Sequence, residues 1–251
     1  MLPELILREE EQENLKLLVF LGFSSALLGY GLASILFPSK VSFLTIIFAA
    51  IPLVYPLTSY FLEDEKEHRP HIPELKVYGS LFLGETLGFG LLGYIHPSSF
   101  SSQVSVFQSQ LVKMGITGFA TNSVSFTGIL ANNLLVFLGI LAVATIIGSA
   151  GAFILTWNAS VLGVFLSILL KELPKKVSAL LFGTEHVPTP LAYVPHAAFE
   201  MSGFIVAGIT GSLMSAAIYR EHFDMETWKD LGKMAAGGVL LIVLGAFLET
   251  V

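Results

Sequence analysis

The feature that most constrains this chain is its series of apolar runs, several longer than the ~18 residues needed to cross hydrocarbon about 30 Å thick. They fall at Leu17–Leu36, Val41–Phe61, Val77–Ile95, Thr127–Thr156, Leu191–Arg220 and Leu231–Val251. Lipid offers backbone groups no water, so each run must close its own N–H···O=C bonds as a helix. The expected fold is therefore all-α, a polytopic transmembrane helix bundle. It has six full spans plus a short half-helix, or seven spans if that short piece crosses. Residues 1–16 read as an aqueous N-terminal segment and residues 17–251 as a single transmembrane domain. At 54% hydrophobic and 13% charged, the chain is too apolar for an ordinary soluble domain. The acidic start and the length of the first run argue against a cleavable signal peptide. With no cysteine, disulfides and thiolate chemistry are excluded. A net charge of −6 without a basic stripe argues against a nucleic-acid surface, and the first partner expected is the lipid bilayer.

The half-helix is Ser160–Leu170, which reaches about 13 residues when counted from Asn158, less than a full crossing. Trp157-Asn158 reads as the interfacial end of the preceding helix. The short Phe37–Lys40 turn makes the first two spans an antiparallel hairpin. Arg8 and Lys16, together with Lys66, Arg69 and Lys76, place the N-terminus in the cytoplasm of a multi-pass cell-membrane protein, with Lys40 outside. The polar His96–Phe126 loop carries Val104, Phe107, Leu111 and Met114 at helical spacing, the pattern of a helix lying in the interface or capping the bundle. Small residues mark close helix packing: Ser25 and Gly29, Gly84 and Gly88 (a GxxxG pair), the stripe Ala144, Gly148 and Ala152, and Gly203.

Against this apolar background six polar residues stand out: Glu85, Asn132, Asn133, Asn158, His196 and Glu200. A charged side chain facing lipid at mid-bilayer costs ~2.5–3.5 kcal/mol, so such residues turn to the bundle interior and find partners there. For Glu85 the expected partner is His196 or an asparagine of the fourth span. Its role is either a hydrogen-bonded pin between helices or an ion or substrate contact. His196 and Glu200 stand four residues apart on one helix face behind Pro195, and Gly203 follows on that face. These two are the candidate ligands if a metal binds. The second histidine of an H-E-x-x-H helix is missing, and no cofactor is expected. The charged loop holding His68 and His71 reads as solvated, since nothing fixes a coordination geometry.

The order Asn132-Asn133, Gly148, Asn158, then Pro195-His196 with Glu200 resembles the stage II sporulation protein M family of integral membrane proteins. The resemblance covers about residues 125–219. Ala159 and Ala197 stand where that family usually has glycine. It implies a membrane component of a cell-wall-remodelling complex that acts in engulfment in spore-forming bacteria.

Three functional classes follow. The favoured one is a scaffold or assembly protein without catalysis, bound to other membrane proteins or to copies of itself. A transporter or channel would gather the Glu, His and Asn side chains at a broken helix. An intramembrane metal site or enzyme is the weakest, because no Ser/His/Asp set or phosphate loop is present.

Overall fold

The computed structural model describes residues 14–64, 72–106, 125–148, 150–181, 194–221 and 224–250. Among these residues there are seven long α-helices and no strand. They are α1 (Leu15–Leu36), α2 (Val41–Asp64), α3 (Ile72–Ile95), α4 (Phe126–Ile146), α5 (Ala150–Leu181), α6 (Val194–Tyr219) and α7 (Met225–Thr250). Local chemistry sets several starts. The Asn14 side chain accepts the Leu17 N–H at 3.3 Å. Ser125 accepts the Gly128 N–H at 3.2 Å, and Asp224 accepts those of Glu226 and Thr227 at 3.0 and 2.9 Å. Each side chain satisfies a donor that the first helical turn leaves open.

The helices form two groups. The first contains α1, α2, α3 and α5, and its core includes Ala26, Ala49, Phe89, Val164 and Phe165. The second contains α4, α6 and α7 around Phe137, Phe204, Ala207 and Ile242. A seam of Leu18, Tyr78, Leu155, Ile209 and Leu213 joins them. The chain thus crosses between groups: α4 belongs to the second group, yet α5 packs on α3 in the first.

Among the described residues five stretches are long and apolar enough to cross a membrane: Leu15–Leu36, Phe126–Ile146, Gly151–Lys171, Ala198–Tyr219 and Met225–Glu249. Large apolar side chains such as Phe20, Leu135, Ile146 and Phe247 are left exposed along them, which suits an apolar surrounding. Together these make a multi-pass, all-helical membrane bundle. α1 and α2 pack as the expected hairpin, with Gly29 set against Thr45 and Ala49.

The structure corrects the reading of the middle of the chain. There is no half-helix at Asn158–Leu170, because those residues lie inside α5, which is continuous for 32 residues. The break falls ten residues earlier, where Ile147 leaves helical geometry (φ −123°, ψ 83°) and Gly148 turns the chain. The physical reason lies in tertiary packing. Asn158 donates its amide to the Ile154 carbonyl at 2.8 Å and so sits inside a helix without ending it. Trp157 packs into the first group's core, half-buried, and does not mark a helix end. Ala144, Gly148 and Ala152 consequently do not share one helix: Ala144 meets Gly211 of α6, while Gly148 faces Ser215 from the turn.

The part of the polar loop that is described caps the bundle. Residues 97–106 fold back as a 3-10 turn and a helical segment, burying Phe100 and Gln103 completely. Residues 1–13, His68, His71, Phe107, Leu111 and Met114 lie outside the described residues.

Candidate functional site

The intramembrane polar residues form two separate constellations, one in each helix group. In the first group Glu85 of α3 is fully buried. Its Oε1 accepts the Thr156 hydroxyl of α5 at 2.8 Å and that of Ser25 of α1 at 3.4 Å. One carboxyl therefore ties three helices. Oε2 has no hydrogen-bond partner among the described residues.

Glycines bring these helices close enough for such short side chains to meet. A Cβ added at Gly84 would run into the Val19 carbonyl, and one at Gly22 into that of Leu81. Gly88 faces Ala26 and Phe23. On the α5 side, a Cβ on Gly163 would lie 2.5 Å from the Thr86 carbonyl and 2.8 Å from the Gly90 nitrogen. Glu85 sits between Gly84 and Gly88, where α1 and α3 touch backbone to backbone. This is the small-residue packing that lipid-embedded helices use in place of a hydrophobic driving force.

In the second group Asn133 of α4 donates its amide to Glu200 Oε1 of α6 at 2.6 Å. Glu200 and His196 are both buried. Their shared face meets α7 at Gly245, where an added Cβ would lie 2.6 Å from Glu200 Cγ and 3.1 Å from the His196 carbonyl. Gly203, one turn on, packs against Ile242 and the Gly238 carbonyl of α7. The four-residue spacing thus places His196 and Glu200 on the inward face of α6.

The remaining residues take lesser places. Asn132 is exposed, and its amide donates to Asn133 Oδ1 at 3.3 Å. Asn158 is buried but bonds within its own helix. The partners expected for Glu85 are not the ones found: Thr156 and Ser25 hold it, where His196 or an asparagine was expected. Thr156 carries no sequence signal of its own, because a lone threonine in an apolar helix normally bonds back to its own backbone. Ser25 was visible only as a small packing residue. Among the described residues no group of three or more His, Asp or Glu is placed to hold a metal.

Removing the Asn133 amide should cost about 1–3 kcal/mol, because it strips a short hydrogen bond from a buried carboxyl. Asn132→Ala, one residue away but exposed, should stay within ~0.5 kcal/mol. Unfolding by denaturing detergent in mixed micelles checks the difference. Equal losses from the two would mean that the Asn133–Glu200 contact does not hold α4 to α6.

A helical bundle with five stretches long and apolar enough to cross a membrane, and with buried carboxyl ties across glycine contacts, is a multi-pass membrane protein. The family model of stage II sporulation protein M matches residues 18–251, and the chain belongs to that family. The match extends well beyond the 125–219 stretch that carries the motifs and takes in α1 to α3, including Glu85. No curated protein and no solved structure matches it.

Proposed function

We propose that this protein is a membrane scaffold, an assembly platform for other membrane proteins or for copies of itself, without catalysis of its own. The observation that carries this reading is the division of the polar residues. Glu85 and Glu200 sit in different helix groups, and each bonds across to neighbouring helices. Two ties of this kind fix the registers of two helix groups. A transport site would instead gather its polar groups in one cavity, commonly at a broken helix. Here α5, the helix expected to be broken, is continuous. The seven helices are all taken to cross the bilayer, with the N-terminus cytoplasmic and the C-terminus therefore outside. Cell-wall remodelling partners, which the family's sporulation members suggest, fit a protein of this kind.

Transport retains one specific supporting observation, the unpartnered Oε2 of Glu85, which could receive a proton or a small cation. The experiment that separates the readings reconstitutes the protein in proteoliposomes and measures proton and sodium flux for wild type and Glu85→Gln. In parallel, partners are crosslinked in the native membrane. The scaffold reading expects no flux above protein-free vesicles and a reproducible partner or self-crosslink. Flux that Glu85→Gln abolishes, in a variant that still folds, would replace the scaffold with a transporter.

A further inference from the structure

Apart from both carboxyl ties, the membrane boundary at the α1–α2 turn carries a groove of about 490 Å³ that neither of them uses. It is walled by Ser39, Lys40 and Ser42 at the start of α2, and by Ser98, Ser101 and Ser102 from the segment after α3. No carboxylate lines it. With Ser99, seven hydroxyl-bearing or cationic residues and no acid among them make a site that favours an anion. The volume lies within the ~300–1,000 Å³ usual for small-ligand sites.

The floor of the groove is built. Ser42 Oγ donates to Gln103 Oε1 at 2.7 Å and accepts the Ser102 N–H at 2.9 Å. The Gln103 amide bonds the Ser42 carbonyl at 3.1 Å and the Ser160 hydroxyl of α5 at 3.4 Å. Gln103 is fully buried, so this network locks the 97–103 segment onto α2 and α5 and holds the two serine walls apart. The Ser42 hydroxyl is engaged in the floor and that of Ser99 meets the Tyr30 hydroxyl at 3.3 Å; the hydroxyls of Ser39, Ser98 and Ser101 and the exposed Lys40 ammonium remain to face a ligand.

The position says what kind of ligand. The groove lies where α1 ends and α2 begins, beside the C-terminal end of α3. Exposed Phe37, Phe43 and Tyr94 gather at that level, with Lys171 stacked 4.8 Å over the Tyr94 ring. Of these rings the amphipathic Tyr94, with Lys171 over it, is of the kind favoured at the headgroup level, while the phenylalanines are apolar. Phe43 and Val41 line the same groove, giving it an apolar flank toward the hydrocarbon.

We propose that the serine-walled groove around Lys40 binds the phosphate of an anionic phospholipid headgroup, with the acyl chains lying along the Val41–Phe43 flank. The three hydroxyls would donate to phosphate oxygens while the lysine neutralises the charge, a pairing suited to a phosphate as point-charge recognition. Soluble phosphate offers the same chemistry without the acyl chains, so the experiment separates the two.

Purified protein in a neutral detergent is titrated with short-chain phosphatidylglycerol, short-chain phosphatidylcholine or inorganic phosphate, and the thermal midpoint is followed. The expected result is a saturable rise with phosphatidylglycerol and at least tenfold weaker effects of the other two. The triple variant Lys40→Gln, Ser98→Ala, Ser101→Ala should lose at least tenfold in apparent affinity for phosphatidylglycerol. These residues lie outside the floor network, so the variant's midpoint without lipid should match wild type. Lys171→Gln, a charge change at the same level outside the groove, should titrate as wild type does. Three results would each overturn the proposal: an unchanged titration in the triple variant, an equal loss in Lys171→Gln, or inorganic phosphate acting as strongly as the lipid. If the triple variant fails to fold, Lys40→Gln alone carries the same comparison, and its failure to weaken phosphatidylglycerol binding overturns the proposal equally.

Discussion

Gly84→Val will pull α1 away from α3. A Cβ at this position runs into the Val19 carbonyl, and the obstacle is backbone, which cannot rotate aside as a side chain could. Overpacking of a tight interface costs about 1–3 kcal/mol and more where nothing can yield. At the upper end, a loss of about 3 kcal/mol lowers the midpoint of a chain this size by roughly 6–12 °C. The separation would also move Ser25 away from Glu85, since that bond spans the same contact. Gly79 of α3 supplies the matching control, because nothing lies within 4 Å of a Cβ placed there. Gly79→Ala should hold or raise the midpoint, by up to ~1 kcal/mol from helix propensity. Differential scanning fluorimetry on the two variants in the same detergent decides the matter. Equal midpoints would show that the α1–α3 contact is looser than described.

The second large effect falls on Glu85 itself. Glu85→Ala opens a cavity at a fully buried position and leaves the Thr156 hydroxyl without its acceptor. The combined loss should be ~2–4 kcal/mol. Glu85→Gln keeps the shape and an oxygen for Thr156 and should cost no more than ~1 kcal/mol. Steady-state level in the membrane, read by immunoblot, should therefore fall sharply for alanine and little for glutamine. A glutamine variant as unstable as the alanine variant would mean that the carboxyl group itself, beyond its size and one acceptor oxygen, holds the first helix group together.

Much of this was legible in the sequence, for a physical reason. Length and apolarity determine helices in lipid almost without competition, and the spacing of His196, Glu200 and Gly203 predicted one inward face of α6, as found. Gly84 and Gly88 announced a close helix contact by the absence of side chains. What stayed illegible was which helix meets which. Asn132-Asn133 look equivalent in sequence, yet a 100° step around α4 sends one to Glu200 and the other outward. Glu85 needed a partner, but the partner was a threonine of no distinguishing context, brought near by the glycine contact of α3 with α5. The break in the middle was misplaced because Trp157-Asn158 carry the composition of a helix end while Gly148 provides the actual turn. Asn158 satisfies itself inside α5, which no linear pattern reveals.

The central claim is that two independent ties, one per helix group, hold the bundle in register. The most direct test is a double-mutant cycle between them, Glu85→Ala with Asn133→Ala, measured as unfolding free energy in mixed micelles. Sites that share no partner should add within about 0.5 kcal/mol. A coupling of about 1 kcal/mol or more between Glu85 and Asn133 would place both residues in one shared polar cluster and contradict the account.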